Sequence, residues 1–541
     1  MTRQRPDPLD SAGAPSPGLA ERSGPVAAGW RLLVVTLLGF ASGLPLALTG
    51  QALQAWLTTS GLDIAAIGFL SLVGLPYTFK FLWAPLMDRF DLPWLGRRRG
   101  WLVLTQLALA GVLMALAATS PGGALELFAL LAVAVAFLSA SQDVVIDAYR
   151  TDLLPPRERG MGASLAVMGY RLAMILSGGI AFIWTDPAQG GGWTWPEVYR
   201  FMAALMTGAA VVSWLALPRL PERERPASVA RDEVIGFLAV LAAVAAGYVL
   251  TQQVGRPLVQ SLMAPLWEGS TLAPTLQRRW TDLVVLLLGL AITFPLAAWA
   301  ARRARFQTLV SGLGNYFSQR GAVAFLAFIV LYKLGDAFAG SLMTPFLLKA
   351  MAYTSAEVGV VNKVIGLWMT IGGALLGGLL MLKLGLWRSL MVFGVLQLLS
   401  NVGLWWLAQG GKGAFEALVL PAFDWGFVSL AQPTPVDGAL LAVVAFENLT
   451  GGMGTAAFLA FLMSLCNQRY TATQFALLSA FASVGRVWVG PLAGVLAETI
   501  GWPVFFLLSM VLALPALVML VVLRPAVQAL DVPAGRPALD D

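Results

Sequence analysis

The chain has 541 residues, of which 58% are hydrophobic and only 12% are charged, whereas soluble globular domains carry about 25% charged residues. This composition excludes a soluble globular protein and predicts an all-α polytopic membrane protein. The sequence has no histidine and a single cysteine, Cys466, which excludes an intramolecular disulfide, a cysteine metal cluster and a histidine proton relay. Any proton chemistry near neutral pH must therefore use Asp or Glu.

The chain opens with residues 1–28, which are rich in Pro, Gly, Ser and charge and which predict a disordered cytoplasmic tail rather than a signal peptide. Apolar runs long enough to span a bilayer then follow one another to residue 524. The first six are expected at 30–56, 64–87, 100–119, 124–150, 159–184 and 197–217. After the charged linker Pro218–Asp232, the others are expected at 233–254, 281–301, 322–349, 356–382, 385–408, 438–465, 470–497 and 501–524.

This order predicts fourteen spans in a duplicated arrangement. Two six-helix lobes, at 29–218 and 321–524, are joined by basic linkers and two additional transmembrane helices at 219–320, and residues 525–541 form a cytoplasmic tail. Six spans, a basic linker and six more spans is typical of a pseudo-symmetric two-lobe transporter. Short matches between the halves, such as A-A-I-G at Ala65–Gly68 and A-E-V-G at Ala356–Gly359, support the duplication weakly.

The Lys and Arg residues are concentrated in alternate gaps between spans, and the gaps 57–63, 120–123 and 498–501 contain none. This bias predicts that both termini are cytoplasmic. The net charge of +6 therefore reflects orientation in the membrane rather than a nucleic-acid surface.

The gap between the second and third spans, Pro85–Gly100, resembles the signature loop of the major facilitator superfamily. An Asp-Arg pair, Asp88-Arg89, is followed by Gly96 and a basic cluster, with extra residues between them. In that family the charges of this loop pair with neighbouring helix ends and stabilise one conformation. The resemblance implies a gating role for Asp88, Arg89, Arg97, Arg98 and Arg99. For the three consecutive arginines, a simple positive-inside anchor is an equal alternative.

Ionisable side chains also lie well inside the spans, where each costs at least about 2.5–3.5 kcal/mol to bury unless it is paired or faces a wet cavity. They are Lys80, Asp143, Asp147, Arg171, Lys333, Asp336, Lys363, Glu447 and Arg486. Acids and bases occur in both lobes, as expected for an anionic or zwitterionic substrate and a titrating carboxylate. We predict that Asp143, Asp147, Asp336 or Glu447 carries the proton, and that the bases bind the substrate.

Structural ion pairs are the alternative for several of these residues. Lys333 and Asp336 are three residues apart and can pair within one helix, and Arg486 can pair with Glu447. Lys80 can neutralise Asp143 or Asp147, which would make that acid a poor proton carrier. Asp147 lies nearer the cytoplasmic mouth than Asp143, so we favour Asp143 for coupling and leave Asp147 shared between coupling and gating.

Aromatic and amide side chains stand next to these charges in the sequence, as in sites that bind sugars. They are Gln142, Tyr170, Tyr332, Asn362 and Asn448, and we predict that they contribute to substrate binding. Most of the 19 Trp residues are interpreted as interfacial belt residues instead. The sequence contains no phosphate-binding Gly-Lys loop, no metal-ligand cluster and no nucleophile with a histidine base, so we do not expect an enzyme.

Several segments in both lobes together resemble the AmpG family of muropeptide permeases. They are Gly39–Thr49 (GFASGLPLALT), Phe79–Arg89 (FKFLWAPLMDR), Ser139–Ala148 (SASQDVVIDA), Leu331–Ala339 (LYKLGDAFA), Glu357–Lys363 (EVGVVNK), Phe446–Thr455 (FENLTGGMGT) and Ala472–Ala480 (ATQFALLSA). The resemblance covers roughly 30–220 and 320–524, and leaves the additional spans and the insertion near 411–437 without a counterpart.

The resemblance implies a major facilitator fold in the inner membrane of a Gram-negative bacterium. It also implies proton-driven import of N-acetylglucosaminyl-anhydromuramyl peptides for peptidoglycan recycling, with an indirect role in β-lactamase induction. No cofactor other than the proton gradient is expected, and the protein is expected to be a monomer in the lipid bilayer. A major facilitator carrier for another amphiphile, such as a lipid or acyl-coenzyme A, is the alternative within transport. A polytopic membrane enzyme is the alternative from a different class.

Overall fold

A computed structural model gives the fold of most of the chain. It describes residues 25–49, 52–53, 56–57, 60, 75–92, 95–185, 192–218, 220, 228–268, 270, 274–319, 321–343, 346–354, 357–358, 361–424, 429–430, 433–467 and 469–530. Within these ranges the side chains of Asn362, Lys363 and Arg486 are not among those described. Residues 1–24 of the predicted tail at 1–28, most of the first half of the second span and the A-A-I-G match therefore lie outside the described residues. Residues 25–28, which were predicted to belong to the tail, are instead part of the first helix.

The N-terminal lobe consists of long helices and three short ones, in the positions that the apolar runs predict. They are α1 (Pro25–Thr49), α2 (Leu75–Phe79), α3 (Ala84–Arg89), α4 (Arg97–Ala117), α5 (Leu125–Leu153), α6 (Arg159–Met174), α7 (Ala181–Thr185) and α8 (Trp195–Leu215). A 3-10 turn at Lys80–Leu82 joins α2 to α3, and a π-helical turn at Ile175–Ile180 joins α6 to α7. Helix α8 begins at a capping box in which Thr194 and Glu197 satisfy each other's backbone N–H groups.

The additional spans form an antiparallel helical hairpin between the lobes. It consists of α9 (Ala230–Leu250), a π-helical turn, α10 (Arg256–Trp267) and α11 (Pro274–Arg303). The predicted span ends at residue 254, whereas the helical segment continues through the π-helical turn to Trp267. Leu258, Leu262 and Leu266 are four residues apart and largely exposed, so they give α10 an apolar face of its own.

A short helix that the sequence did not predict follows this hairpin. Helix α12 (Gln307–Phe317) has only 11 residues, which is too few to span a bilayer, so its sequence does not predict a transmembrane helix. The carboxylate of Glu233 in α9, which is fully buried, accepts a hydrogen bond from the backbone N–H of Thr308 at 2.9 Å. The hairpin therefore fixes the start of α12 through this cap.

The C-terminal lobe repeats the helical organisation of the first. It consists of α13 (Ala322–Ser341), α14 (Leu367–Trp406), α15 (Gly438–Leu465), α16 (Thr471–Ile500), α17 (Trp502–Val522) and the short α18 (Arg524–Ala529). Three π-helical turns, at Phe346–Ala350, Val361–Gly366 and Leu407–Gly411, flank these helices. The insertion before α15 contains two unpredicted strand pairs, β1 (Leu418–Leu420) with β4 (Thr434–Val436) and β2 (Phe423–Asp424) with β3 (Ser429–Leu430).

A shared backbone feature supports the duplication. Gly385 interrupts α14 with φ 73° and ψ 172°, which separates the predicted spans 356–382 and 385–408. Gly96 stands at the same place in the first lobe, before α4, with φ 74° and ψ 172°. These positive φ values favour glycine, because other residues are strained there. The two halves therefore use the same turn between their second and third spans.

Eleven helices in the described part of the chain are long and apolar enough to cross a membrane. The predicted number of fourteen stays a prediction, because residues 61–74 are outside the description and α14 covers two predicted spans.

Candidate functional site

The two lobes meet at the end of the bundle that carries the arginine-rich loops, which we call the basic end. There the side chain of Asp88, at the end of α3, is completely buried against the start of α16 in the other lobe. Its carboxylate accepts hydrogen bonds from the backbone N–H groups of Thr473 at 2.8 Å and Ala472 at 3.2 Å, and from the Thr473 hydroxyl at 2.6 Å. Asp88 therefore caps a helix of the opposite lobe, where a negative charge is favoured.

Arg98 lies behind this cap and is only 4% exposed. Its guanidinium pairs with Asp88 at 2.9 Å and with Asp152, near the end of α5, at 3.0 Å. The hydroxyl of Thr471 donates to Asp152 at 2.7 Å, which adds a second contact with α16. Arg98 is thus part of the network between the lobes, and we call Asp88, Arg98, Asp152 and the first turn of α16 the basic-end latch.

The other basic residues of the signature loop contact different groups. Arg97 donates to the backbone carbonyl of Asp88 at 2.9 Å. Arg89 donates to the backbone carbonyl and the hydroxyl of Ser228 in the linker before α9. Arg99 is half-buried, and its Nε has no hydrogen-bond partner among the described residues. Among the described contacts of the arginines predicted to gate, the ion pair with the buried Asp88 carboxylate is therefore made by Arg98.

Further contacts close the lobes together at the basic end. Arg159 donates to the Ser464 hydroxyl at 3.2 Å, and the guanidinium of Arg150 lies 5.2 Å from the ring centroid of Phe475. A Cβ added at Gly378 would come within 2.2 Å of the Ser164 hydroxyl, so helices α6 and α14 approach closely there. The structure is therefore a conformation closed at the basic end.

The acids of α5 have different surroundings. Asp147 lies between two bases, with Arg150 at 2.7 Å and Lys80 at 3.5 Å. This confirms that Lys80 pairs with one of the two acids, and it shows that the partner is Asp147. Two cations in contact with one carboxylate make a buried ion-pair cluster, which holds α5 against the turn after α2.

Asp143, one turn earlier on α5, has a hydroxyl partner instead. The hydroxyl of Ser42 in α1 donates to Oδ1 of Asp143 at 2.5 Å. The neighbouring amide of Gln142 is fully buried and donates to the backbone carbonyl of Ala41 at 2.8 Å. Gln142 therefore ties α5 to α1, and its predicted contact with substrate stays a prediction.

Sequence reasoning also missed a cluster of three hydroxyls, one of which lies within electrostatic range of Asp143. Tyr77 of α2 lies within electrostatic range of Asp143 and beside the hydroxyls of Ser139 and Thr49. Ser139 stands four residues before Asp143 on the same face of α5. That spacing was a usable signal, whereas the approach of Tyr77 and Thr49 depends on helix packing.

In the C-terminal lobe Lys333 and Asp336 form the intrahelical pair that the sequence offered as an alternative, at 3.5 Å. Gln397 of α14, which sequence reasoning missed, donates to Oδ2 of Asp336 at 2.6 Å. Lys333 also lies 3.4 Å from the hydroxyl of Thr455 and 5.7 Å from the ring centroid of Phe458. The pair thus joins α13 to both α14 and α15.

Glu447 in α15 is placed to interact across the lobes. It interacts electrostatically with Asp336 of its own lobe and with Arg171 of the first lobe. The amide of Asn448 donates to Glu447 at 2.9 Å, and its oxygen accepts from Thr370 at 2.9 Å. The side chains of Asn362, Lys363 and Arg486 are not among those that the structure describes. The alternative pairing of Glu447 with Arg486 and the predicted roles of Asn362 and Lys363 therefore stay predictions.

The aromatic residues beside the charges are placed differently. Tyr332 is buried, donates to the backbone carbonyl of Leu390 at 3.0 Å and stacks on Phe458 with 5.5 Å between ring centroids. Tyr170 is half-buried and lies next to Arg171 on α6. Arg171 and Glu447 thus interact electrostatically across the lobes, while Tyr332 packs within one lobe. Mixed charges at this interface suit a ligand that carries both charged and hydrogen-bonding groups.

Comparison with known proteins agrees with this architecture. Residues 32–436 match the family model described as Major Facilitator Superfamily. An Escherichia coli (strain K12) protein named "Anhydromuropeptide permease" is 41% identical over 498 residues, which cover 92% of this chain and 80% of that protein. A Rickettsia conorii transporter named AmpG 4 is 28% identical, with 92% of this chain and 97% of that protein covered.

Among solved structures, the proton:xylose symporter XylE bound to 6-bromo-6-deoxy-D-glucose superposes with a TM-score of 0.56. The match covers 91% of this chain and 95% of that one at 12% identity, so it bears on the fold alone. The relatives are named permeases and transporters, which agrees with the prediction that the chain is not an enzyme. The chain belongs to the AmpG family of the major facilitator superfamily and is a multi-pass membrane transporter.

Proposed function

We propose that the protein is a proton-coupled importer of anhydromuropeptides, working by alternating access. The substrates are N-acetylglucosaminyl-anhydromuramyl peptides, which it carries from the periplasm to the cytoplasm for peptidoglycan recycling. The 41% identity to the E. coli permease over 92% of this chain supports this substrate class. The protein acts in the bacterial inner membrane as a monomer, with both termini in the cytoplasm and without a cofactor.

The observation that carries the proposal is the arrangement of charges between the lobes. Glu447 of one lobe lies within electrostatic range of Arg171 of the other and of Asp336, which pairs with Lys333. A muropeptide offers peptide carboxylates to the bases, and it offers sugar hydroxyls and amides to groups such as Thr455. A substrate that binds groups of both lobes can draw them together, as alternating access requires.

Asp143 is the best candidate for the proton site. Asp147 already has two cationic partners, so removing its charge would leave both uncompensated. Asp143 contacts a hydroxyl on Oδ1, and a neutral carboxyl group there can still accept that hydrogen bond. The charge of Asp143 can therefore change with less disturbance of the surrounding ion pairs.

The basic end corresponds to the cytoplasmic side by the positive-inside bias. A conformation closed at that end is the one that would receive substrate from the periplasm. The latch contacts of Asp88 with α16 must break before substrate can leave into the cytoplasm.

The test is uptake of radiolabelled anhydromuropeptide into proteoliposomes of the purified protein. We expect accumulation with an inward proton gradient, and loss of accumulation on addition of a protonophore. Asp143→Asn should abolish accumulation, while a matched surface change in the same lobe, Glu126→Gln, should not. Uptake that is unaffected by the protonophore would refute the coupling. Equal competition by a peptide without sugar would refute the substrate assignment.

A further inference from the structure

On the side of Asp143 away from the basic end lies a cluster of hydroxyls contributed by three helices. Tyr77 comes from α2, Ser139 from α5 and Thr49 from the end of α1. Arg31 of α1 pairs with Glu158 at the basic end, so α1 starts there and Thr49 lies toward the opposite side. The cluster thus lies between Asp143 and the side that we assign to the periplasm.

Two of these hydroxyls are buried without a well-formed hydrogen bond. The oxygens of Tyr77 and Ser139 are inaccessible to solvent, and although Tyr77 lies beside Ser139 and Thr49, neither oxygen makes a hydrogen bond of normal geometry within the described part of the chain. Thr49 donates its own proton to backbone carbonyls of α1, so its oxygen can only accept another. A buried hydroxyl with no partner costs about 1–3 kcal/mol, and ordered water is a common way to satisfy it.

We propose that Tyr77 and Ser139 hold a short water chain that delivers protons to Asp143 from the side opposite the basic end. The inference rests on the proposed proton coupling and names the access route to that proton site. Ser42 occupies Oδ1 of Asp143, which leaves Oδ2 for the incoming proton. Ser139 lies one helical turn away on the same face, in position to bridge Tyr77 and that oxygen.

Each hydroxyl group carries one proton before and after the transfer. A hydrated proton at the outer end gives its proton to the first oxygen of the chain, while that group passes its own proton to the next. The last water or hydroxyl protonates Oδ2 of Asp143, and the carboxylate becomes a carboxylic acid. Tyr77 and Ser139 finish as neutral hydroxyls, and the only net change is one proton on Asp143.

The charges around Asp143 favour this direction of approach. Toward the basic end it faces Lys80 from the turn after α2, and Asp147 and Arg150 on its own helix. A proton coming from that end would pass two cations, whereas α1, α2 and the outer part of α5 present hydroxyls. Helices α4 and α16 also pack on α5. The charges of α4, Arg97 to Arg99, lie in its first turn at the basic end, and the side chain of Arg486 on α16 is not among those that the structure describes.

The experiment uses the full-length protein in proteoliposomes and compares Tyr77→Phe and Ser139→Ala with the wild type. Tyr199→Phe is the matched control, because that tyrosine is fully buried in the same lobe but donates to the Leu48 carbonyl. Two quantities are measured with labelled anhydromuropeptide. One is gradient-driven accumulation as a function of external pH, and the other is exchange without a gradient.

For both variants we expect accumulation to fall about tenfold or more and its pH profile to shift, because a positioned proton relay typically contributes a factor of this size or larger. Exchange without a gradient should stay within about twofold of wild type, since it needs no net proton transfer. Tyr199→Phe should keep the wild-type pH profile. Ser139→Ala decides the question if Tyr77→Phe is not recovered folded.

Suppose that the wild type depends on the proton gradient and that the folded variants keep its pH profile. This result would overturn the water chain but would leave the proposed function intact. Loss of exchange together with accumulation, at unchanged pH profile, would assign the hydroxyls to packing and would also overturn it. A wild type that accumulates substrate without a proton gradient would instead overturn the proposed function itself.

Discussion

The basic-end latch makes a quantitative prediction for Asp88→Asn. In the closed conformation the Asp88 carboxylate accepts three hydrogen bonds from the first turn of α16 and pairs with Arg98. Hydrogen bonds to a charged group contribute about 1.5–3 kcal/mol each. Asparagine keeps one acceptor oxygen but presents an NH2 group to backbone donors and removes the charge. Since these contacts with α16 exist only when the lobes are closed, we expect the closed form to lose about 3 kcal/mol relative to the open form.

The sole cysteine provides the assay. Cys466 lies between α15 and α16, next to the latch, and its thiol donates to the Leu462 carbonyl. Burial, together with the nearby charges of Asp152, Asp88 and Asp147, raises the pKa of the Cys466 thiol. A raised pKa leaves less thiolate at neutral pH, so alkylation by a maleimide should be slow in the wild type and should rise with pH.

In Asp88→Asn a loss of about 3 kcal/mol corresponds to roughly a hundredfold larger open fraction, and the alkylation rate should rise in proportion. Opening raises this rate at every pH, whereas a lower thiol pKa alone would raise it at neutral pH and leave the high-pH rate unchanged. Arg89→Gln is the matched control, because Arg89 contacts Ser228 of the linker rather than α16. A folded Asp88→Asn protein with the wild-type alkylation rate would refute the latch.

Three further predictions concern the interior. Asp147→Asn leaves Lys80 and Arg150 without their shared carboxylate, so the free energy of unfolding should fall by about 3–5 kcal/mol. The measurement is the unfolding temperature in detergent, and an unchanged temperature would contradict the ion-pair cluster. Gln397→Leu removes the 2.6 Å hydrogen bond to Asp336 and should destabilise the C-terminal lobe by about 1.5–3 kcal/mol. Uptake should fall as a result, and denaturation and transport are measured on the same variant. Tyr332→Phe removes only the bond to Leu390 and should cost about 1 kcal/mol without changing KM for substrate; a large rise in KM would instead support the predicted role of Tyr332 in binding.

The sequence was a good guide to the helices, because membrane-spanning runs are defined by length and apolarity. It failed where those criteria do not apply. Helix α12 is too short to be recognised as a span, and the helical segment of the first additional span continues past its predicted end at residue 254 to Trp267. The break between the predicted spans 356–382 and 385–408 agrees closely with the interruption of α14 at Gly385.

In the candidate site too, contacts between residues close in sequence could be predicted, whereas contacts between residues distant in sequence could not. The Lys333–Asp336 pair could be predicted, because residues three apart on a helix are neighbours. The contacts of Asp336 with Gln397 and of Asp143 with Ser42 could not, because they join residues 61 and 101 positions apart in sequence. They depend on the rotation and packing of separate helices, which hydropathy alone does not determine.

The positions of the acids on α5 connect the proposed proton site with the latch. Asp143 interacts with Lys80, which shares Asp147 with Arg150, and Arg150 lies over Phe475 of α16. When Asp143 is neutral, Asp147 becomes the one remaining acid of this cluster for both bases. Lys80 and Arg150 then share Asp147 alone, and we expect a change in this pairing to move Arg150 relative to Phe475 of α16. If Asp143 carries the proton, as proposed, proton binding and opening of the basic end act through the same ion pairs, and these shared contacts would couple the two events.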